Sequence, residues 1–159
     1  MFKIVYFLLF TLSTLFSQEI HFKETKYIYA LDNELSKVGT LNITDNKVIL
    51  QYKSSDKTVI YTAQNIKIVS KDDKEIYTHA ESVEYDLFFK LVLAIYTNDT
   101  TLVLENFAIT KKKKTITLLP DEYLSSILET IQYEKDGKKL KYLEIHFTNQ
   151  DRITIEEIQ

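Results

Sequence analysis

A chain of 159 residues that is 45% hydrophobic, with 20 basic against 23 acidic residues, has the size and composition of one globular domain. Its formal net charge of −3 argues against nucleic acid as a partner, and the absence of cysteine removes disulfides, thiol chemistry and a lipid anchor through an N-terminal cysteine. With 11 tyrosines and 9 phenylalanines beside many Ile, Val and Thr residues, the chain is expected to be strand-rich.

The N-terminus, MFKIVYFLLFTLSTLFS, joins Lys3 to an apolar run from Ile4 to Phe10 that continues through Leu12, Leu15 and Phe16 and ends at the small residue Ser17. This is the pattern of a secretory signal peptide over 1–17, cleaved after Ser17, with an uncleaved membrane anchor as the alternative. Residues 18–159 are then one exported domain.

From Ile20 to Tyr29 the residues Ile20, Phe22, Glu24, Lys26 and Ile28 alternate with His21, Lys23, Thr25, Tyr27 and Tyr29, a strand with both faces partly wet. The segment Ala30 to Lys37 is expected as a loop, and Gly39 as a glycine entering the next strand. Thr40 to Thr44 and Lys47 to Lys53 form a hairpin about Asp45-Asn46, followed by strands at Thr58 to Thr62, Asn65 to Ser70 and Glu75 to Thr78.

The stretch Ser82 to Asn98 is the one long segment past residue 20 with helical character. Val83, Leu87, Leu91 and Ile95 recur at i+4, and Phe88, Val92 and Leu93 widen the stripe until only Lys90 interrupts it between Leu87 and Tyr96. Such a helix is apolar nearly all round, but its uninterrupted run is well short of the roughly 20 residues needed to span a bilayer, so it needs cover from the rest of the chain, either as a core helix on a sheet or as a lid over a cavity. Thr78 and Glu81 have the form of a capping box ahead of it, which would start the helix near His79.

Strands return at Thr100 to Thr110 and Thr115 to Leu119, separated by Lys111 to Lys114, which reads as a solvated turn or, alternatively, as a contact for anionic headgroups. After Pro120, the segment DEYLSSILETI places Tyr123, Leu124, Ile127, Leu128 and Ile131 at helical spacing behind two acidic residues, predicting a second, short helix. Strands at Gln132 to Glu134, around Leu143, Ile145 and Phe147, and at Ile153 to Ile158 close the chain. The fold expected is mainly β with α, a strongly bent antiparallel sheet whose concavity holds the apolar helix.

No constellation for catalysis emerges. His21, His79 and His146 lack companions at metal-ligand spacing, no serine sits in a Gly-x-Ser-x-Gly turn, and two glycines cannot build a phosphate-cradling loop. The chain is expected to be neither an enzyme nor a metal or cofactor protein, which leaves binding.

Three segments resemble the LolA-like periplasmic lipoprotein carriers: Phe22-Lys23-Glu24-Thr25-Lys26 followed by Leu31 and Leu35 and then Gly39-Thr40-Leu41-Asn42-Ile43; Leu91 through Leu102, Phe107 and Leu118-Leu119-Pro120 to Ile127 and Ile131; and Leu143 to Ile158 with Asp151-Arg152-Ile153-Thr154-Ile155. The resemblance implies an incomplete β-barrel closed by one long apolar helix and one short helix. It implies a periplasmic carrier that hides the acyl chains of a lipoprotein or other lipid and shuttles them toward the outer membrane. Partners so implied are the lipid cargo, an inner-membrane transporter and an outer-membrane acceptor, with the carrier itself a monomer. The cavity would be lined by Leu41, Ile43, Val48, Leu50, Tyr52, Val59 and Tyr61 from the first strands. Leu87, Phe88, Leu91, Val92 and Ile95 would line it from the helix, and Leu102, Leu104, Phe107, Ile116, Leu118, Ile145 and Phe147 from the later strands. The alternative is a non-catalytic structural or bridging component of a cell-envelope assembly, with the same sheet packed dry.

Overall fold

The computed structural model describes residues 17–159, so the proposed signal peptide lies outside the described residues except for Ser17. Six strands come first: β1 (Ser17–Ile28), β2 (Asn33–Thr44), β3 (Lys47–Tyr52), β4 (Thr58–Thr62), β5 (Ile66–Val69) and β6 (Lys74–Tyr77). The helix α1 (Val83–Thr97) follows, then β7 (Phe107–Lys112), β8 (Thr115–Pro120), β9 (Leu128–Asp136), β10 (Lys139–Phe147) and β11 (Arg152–Ile158). All 11 strands form one antiparallel sheet in the order β6-β5-β4-β3-β2-β1-β11-β10-β9-β8-β7. The first and last strands of the chain therefore meet at its centre, where β1 runs beside β11 from His21↔Ile158 to Tyr27↔Arg152.

Two arms are thus built by short turns on either side of the β1–β11 seam, and each arm ends in a free edge, β6 or β7. These edges are short and charged: Lys74 and Glu75 on β6, Lys111 and Lys112 on β7. Charged side chains on a short edge discourage the addition of a foreign strand.

This architecture corrects the expected fold. The sheet is open and not closed into a barrel, and among the described residues α1 is the single α-helix. Nor is α1 apolar all round. Asp86, Lys90, Leu93 and Thr97 succeed one another at i+4, i+3 and i+4 and form a stripe left partly or fully in solvent, opposite the buried Phe89, Leu91, Val92, Ala94 and Ile95. It starts at Val83 and not near His79, because the capping-box residues close a turn of their own. Thr78 N donates to Glu81 Oε2 at 2.7 Å and Glu81 N to Thr78 Oγ1 at 3.3 Å, after which Ser82 leaves helical geometry at φ −133°.

The second helix does not form. Only Leu124–Ser126 make a 3₁₀ turn, and Leu128 already belongs to β9. A single amphipathic turn or two is marginal without tertiary support, whereas Ile131 and Tyr133 gain strand partners on both sides, Ile131 pairing with Leu118 of β8 and Ile145 of β10. Two smaller corrections concern loops. Residues expected as a loop from Ala30 to Lys37 are largely β2, since the β1–β2 ladder continues to Ile28↔Asn33. In turn, Thr100–Leu102 form a 3₁₀ turn where a strand was expected, and β7 begins only at Phe107.

One face of the sheet carries the core. Ile20 and Phe22 of β1, Leu41 and Ile43 of β2, Val48 and Leu50 of β3, Ile131 and Tyr133 of β9, Leu143 of β10 and Ile155 of β11 are all buried in the same cluster as α1. Alternation at period 2 directs every second side chain to this inner face.

Candidate functional site

Two features of the inner face have the geometry of a site: a polar cluster at its centre and an apolar opening at one end. The helix separates them from the opposite end, because it lies across the strands. Near its start, Phe89 stacks on Tyr61 of β4 with ring centroids 5.0 Å apart, and Tyr61 Oη donates to Asp86 at 3.2 Å. Near its end, Tyr96 Oη donates to Glu157 of β11 at 3.2 Å, and Lys135 of β9 donates to the carbonyl of Ile95 at 2.8 Å and to Asn98 Oδ1 at 2.9 Å. Lys135 supplies a cation to a helix C-terminus that has none of its own, satisfying a carbonyl that would otherwise lack a donor. Burial lowers the Lys135 pKa, opposed by the nearby charge of Glu157.

At the start of α1, Asp86 gathers three groups. Lys90 Nζ lies 2.8 Å from its Oδ2, Tyr61 reaches its Oδ1, and His79 Nδ1 lies 2.8 Å from the same oxygen without hydrogen-bond geometry, an electrostatic contact only. Burial, and then the Asp86 charge, push the Tyr61 hydroxyl up to about 12. Lys90 and Tyr61 anchor the helix through Asp86, whereas the buried His79 Nδ1 has no hydrogen-bond partner among the described residues.

The polar cluster surrounds Glu24, the buried charged residue of the inner face. Its carboxylate receives the Tyr52 hydroxyl and stands 3.1 Å from Lys37 Nζ, whose charge also rests over the Tyr52 ring at 4.0 Å. The arrangement follows from register. Glu24 pairs with Lys37 across β1–β2, while Gly39 lies between Phe22 and Tyr52 in the row Phe22↔Gly39↔Tyr52. A side chain at residue 39 would separate the two rings; glycine lets them meet edge to face at 5.7 Å. Burial, then the Glu24 charge, raise the Tyr52 pKa. With the Lys37 ammonium and the Tyr52 hydroxyl both directed at it, the Glu24 carboxylate ties β1 to β2 and β3.

The apolar opening lies at the other end of the strands from α1. There β1 and β2 turn over through the 3₁₀ residues Tyr29–Leu31, and β2 runs on past the end of β3, which stops at Tyr52 opposite Gly39. Backbone bonds collect the neighbouring turns around this hairpin: Tyr29 N donates to Asp151 Oδ1 at 2.9 Å, and Thr148 N, in the same β10–β11 turn, donates to Ile127 O at 3.0 Å. Tyr29, Leu31, Leu35, Tyr123 and Ile127 are consequently brought to one end, each at least 52% exposed. Behind them the inner-face residues Ile145, Phe147 and Ile153 are only half-buried. This end is not wholly apolar, because register places the exposed Lys26 between Leu35 and Ile153.

The residues expected to line a cavity divide into three groups. Leu41, Ile43, Val48, Leu50, Val59, Leu91, Val92, Ile95, Phe107 and Leu118 are buried in the core, none more than 6% exposed. Tyr52, Tyr61, Leu87, Phe88, Leu102, Ile116, Ile145 and Phe147 are half-buried around it. Leu104 is 54% exposed and sits in the turn before β7, not on a strand. The buried face of α1 belongs to the same core cluster as the inner face of the sheet. The more open hollows lie elsewhere: one of about 450 Å³ on the outer face beside Lys112 to Lys114, another of about 250 Å³ where Leu93 meets the β2–β3 and β4–β5 turns.

Residues that the sequence did not assign to a site include Glu24 and Lys37 of the polar cluster and Leu31, Leu35, Ile153 and Ile127 of the opening. Glu24 carried a legible signal, sharing a strand face with Ile20 and Phe22. Leu35 carried no strand signal, since its segment reads as loop.

Among the described residues no group of three or more His, Asp or Glu side chains could hold a metal ion, and no helix is long and apolar enough to cross a membrane. No protein-family model and no curated protein matches the chain.

Proposed function

We propose that this protein is a non-catalytic binder of acyl chains, taking an aliphatic tail against the inner face of the sheet at the β1–β2 end. The observation that carries the reading is the apolar opening, where Leu35, Ile145, Phe147 and Ile153 leave the core half-covered beside the exposed Leu31 and Ile127. A tail exposed to water costs about 0.8 kcal/mol for each CH₂, and a non-directional apolar surface relieves that cost without selecting a particular headgroup. This location replaces the space beneath the helix as the place where a chain would lie. A lipoprotein or free lipid as cargo, export to the periplasm, and exchange with an inner-membrane donor and an outer-membrane acceptor belong to the same reading.

The test is direct. Protein purified from its native host is extracted, its lipids are identified by mass spectrometry, and the emptied protein is titrated with a fluorescent fatty-acyl probe. Stoichiometric lipid and saturable probe binding are expected; protein that elutes empty and leaves the probe unbound sinks the reading.

A bridging role in an envelope assembly is favoured by a different observation, the burial of Phe89, Leu91, Val92, Ala94 and Ile95 beneath α1. On that reading the apolar end is covered by another protein, and crosslinking from Tyr123 or Leu31 in the host envelope yields a discrete protein adduct and no lipid.

A further inference from the structure

Two turns at the corner of the sheet farthest from the apolar opening concentrate positive charge. β7 and β8 are joined through Lys113-Lys114, between the paired Lys112 and Thr115; β9 and β10 are joined through Gly137-Lys138, between the paired Asp136 and Lys139. Because Thr115 pairs with Glu134, the two turns stand side by side. Residues 111–114 and 134–141 contain eight lysines against Glu134 and Asp136, a net +6 within a chain whose net charge is −3. Lys135 is spent on the helix terminus and Lys141 pairs with Glu134 at 3.1 Å. Lys111, Lys112, Lys113, Lys114, Lys138 and Lys139 are exposed, and among the described residues none of them forms an ion pair.

The backbone adds a second observation. Lys113 adopts φ 57°, in the left-handed region that favours glycine or asparagine. Gly137 takes the corresponding positive φ of 61° in the neighbouring turn, as the geometry prefers. A lysine in this position is unfavourable for the turn itself and places an ammonium at its tip, within a run of four consecutive lysines. Beneath the lysines, Thr115, Thr117, Gln132 and Glu134 floor the hollow of about 450 Å³, so hydroxyl and amide groups lie next to the cations.

We infer that this lysine corner docks the protein on the surface of an anionic bilayer. Headgroup phosphates would be met by the exposed ammonium groups of Lys111 to Lys114, Lys138 and Lys139, with Thr115, Thr117 and Gln132 available as hydrogen-bond donors. Clustered lysines are the usual electrostatic match for an anionic leaflet, and their attraction decays within a Debye length. Docked in this way the protein keeps its apolar end directed away from the bilayer. The inference stands on the charge distribution and does not depend on acyl-chain binding.

The full chain is sedimented with phosphatidylglycerol–phosphatidylethanolamine vesicles and with phosphatidylcholine vesicles, and the ratio of the two partition coefficients is the readout. That ratio discounts any charge-independent insertion by the apolar N-terminus. The ratio is expected to exceed one strongly, to fall with added salt, and to drop about hundredfold in K112Q/K113Q/K114Q. A matched variant, K57Q/K71Q/K74Q, removes the same charge elsewhere and is expected to retain it. Equal binding to both vesicles, or equal loss in the two variants, overturns the inference. So does thermal stabilisation by inorganic phosphate without a preference for anionic vesicles, which would identify a soluble anion as the ligand. Matching thermal unfolding of the variants shows that a lost ratio reports the surface and not the fold.

Discussion

Phe22 lies over Gly39 so closely that a Cβ built on residue 39 would stand 2.5 Å from the ring's Cζ and 3.0 Å from the backbone oxygen of Gln51. The ring can move only by displacing Tyr52, and the backbone oxygen cannot yield without breaking β2–β3 pairing. Gly39→Ala is therefore expected to destabilise the protein by about 1–3 kcal/mol, the usual range for overpacking a core. Phe22→Leu costs stability on its own, but combined with Gly39→Ala it is expected to cost less than the sum. Urea unfolding of the two single variants and the double variant measures the coupling; strict additivity would mean that the ring does not enforce the glycine.

The Glu24 carboxylate is held from two sides, by Lys37 and by the Tyr52 hydroxyl. Removing the acid leaves a buried phenol and a lysine without their partner, so Glu24→Ala is expected to lose about 1–3 kcal/mol. Tyr52→Phe leaves the ion pair in place and keeps the ring contacts with Phe22, and a loss of about 1 kcal/mol is expected. If Tyr52→Phe proves the costlier change in urea unfolding, the hydroxyl and not the ion pair dominates the cluster.

The alternation from Ile20 to Tyr29 made β1 legible as a strand but not which of its faces is buried, and the turn at Asp45-Asn46 marked a hairpin that forms. Two other readings failed for identifiable reasons. Tyr123, Leu124, Ile127, Leu128 and Ile131 have helical spacing, yet Tyr123 and Ile127 are 76% and 61% exposed while Leu124, Leu128 and Ile131 are buried. The stripe belongs to a turn and a strand, and only the partners supplied by β8 and β10 distinguish these from a helix. Asn33 to Lys37 lacks β-branched residues and reads as loop, but its pairing with β1 carries on from the Phe22↔Gly39 row. The apolar opening depends on that extension through Leu35, so it could not be read from the local sequence. The polar cluster was half legible, as an acid on an apolar strand face; its lysine and tyrosine partners required the register.

Three tyrosines make alkaline stability a test of the helix and cluster contacts. Burial, reinforced by Asp86, raises Tyr61 from its ordinary value near 10 to about 12; burial, reinforced by Glu24 and Glu157, raises Tyr52 and Tyr96. The folded chain thus keeps protons that the unfolded chain releases from about pH 10 upward. Their contribution to stability is complete below about pH 10 and declines as the pH rises through the folded value of about 12 for Tyr61. Lys135 has the opposite sign: its pKa is lowered by burial, so its contribution improves as the pH approaches its unfolded value of about 10.4. Urea midpoints measured across the alkaline range are expected to fall above pH ~10, and less steeply in Tyr61→Phe. An unchanged slope in that variant would show that Tyr61 ionises in the folded protein as freely as in the unfolded one.

The apolar opening separates ligand binding from stability, because its outermost residues contribute little to the core. Leu35 is 55% exposed on a part of β2 that has lost its β3 neighbour, so Leu35→Asp is expected to change unfolding by no more than about 0.5 kcal/mol. An acyl chain lying against the same residue would lose an apolar contact worth about 1.5–3 kcal/mol when fully covered, which corresponds to at least a tenfold weaker probe affinity. Val83→Asp is the control: Val83 is similarly exposed, at 48%, but belongs to the start of α1. Probe titration is expected to detect the first substitution and not the second. Equal weakening in both variants would mean that the probe responds to general surface hydrophobicity, and weakening only by Val83→Asp would move the binding surface to the helix.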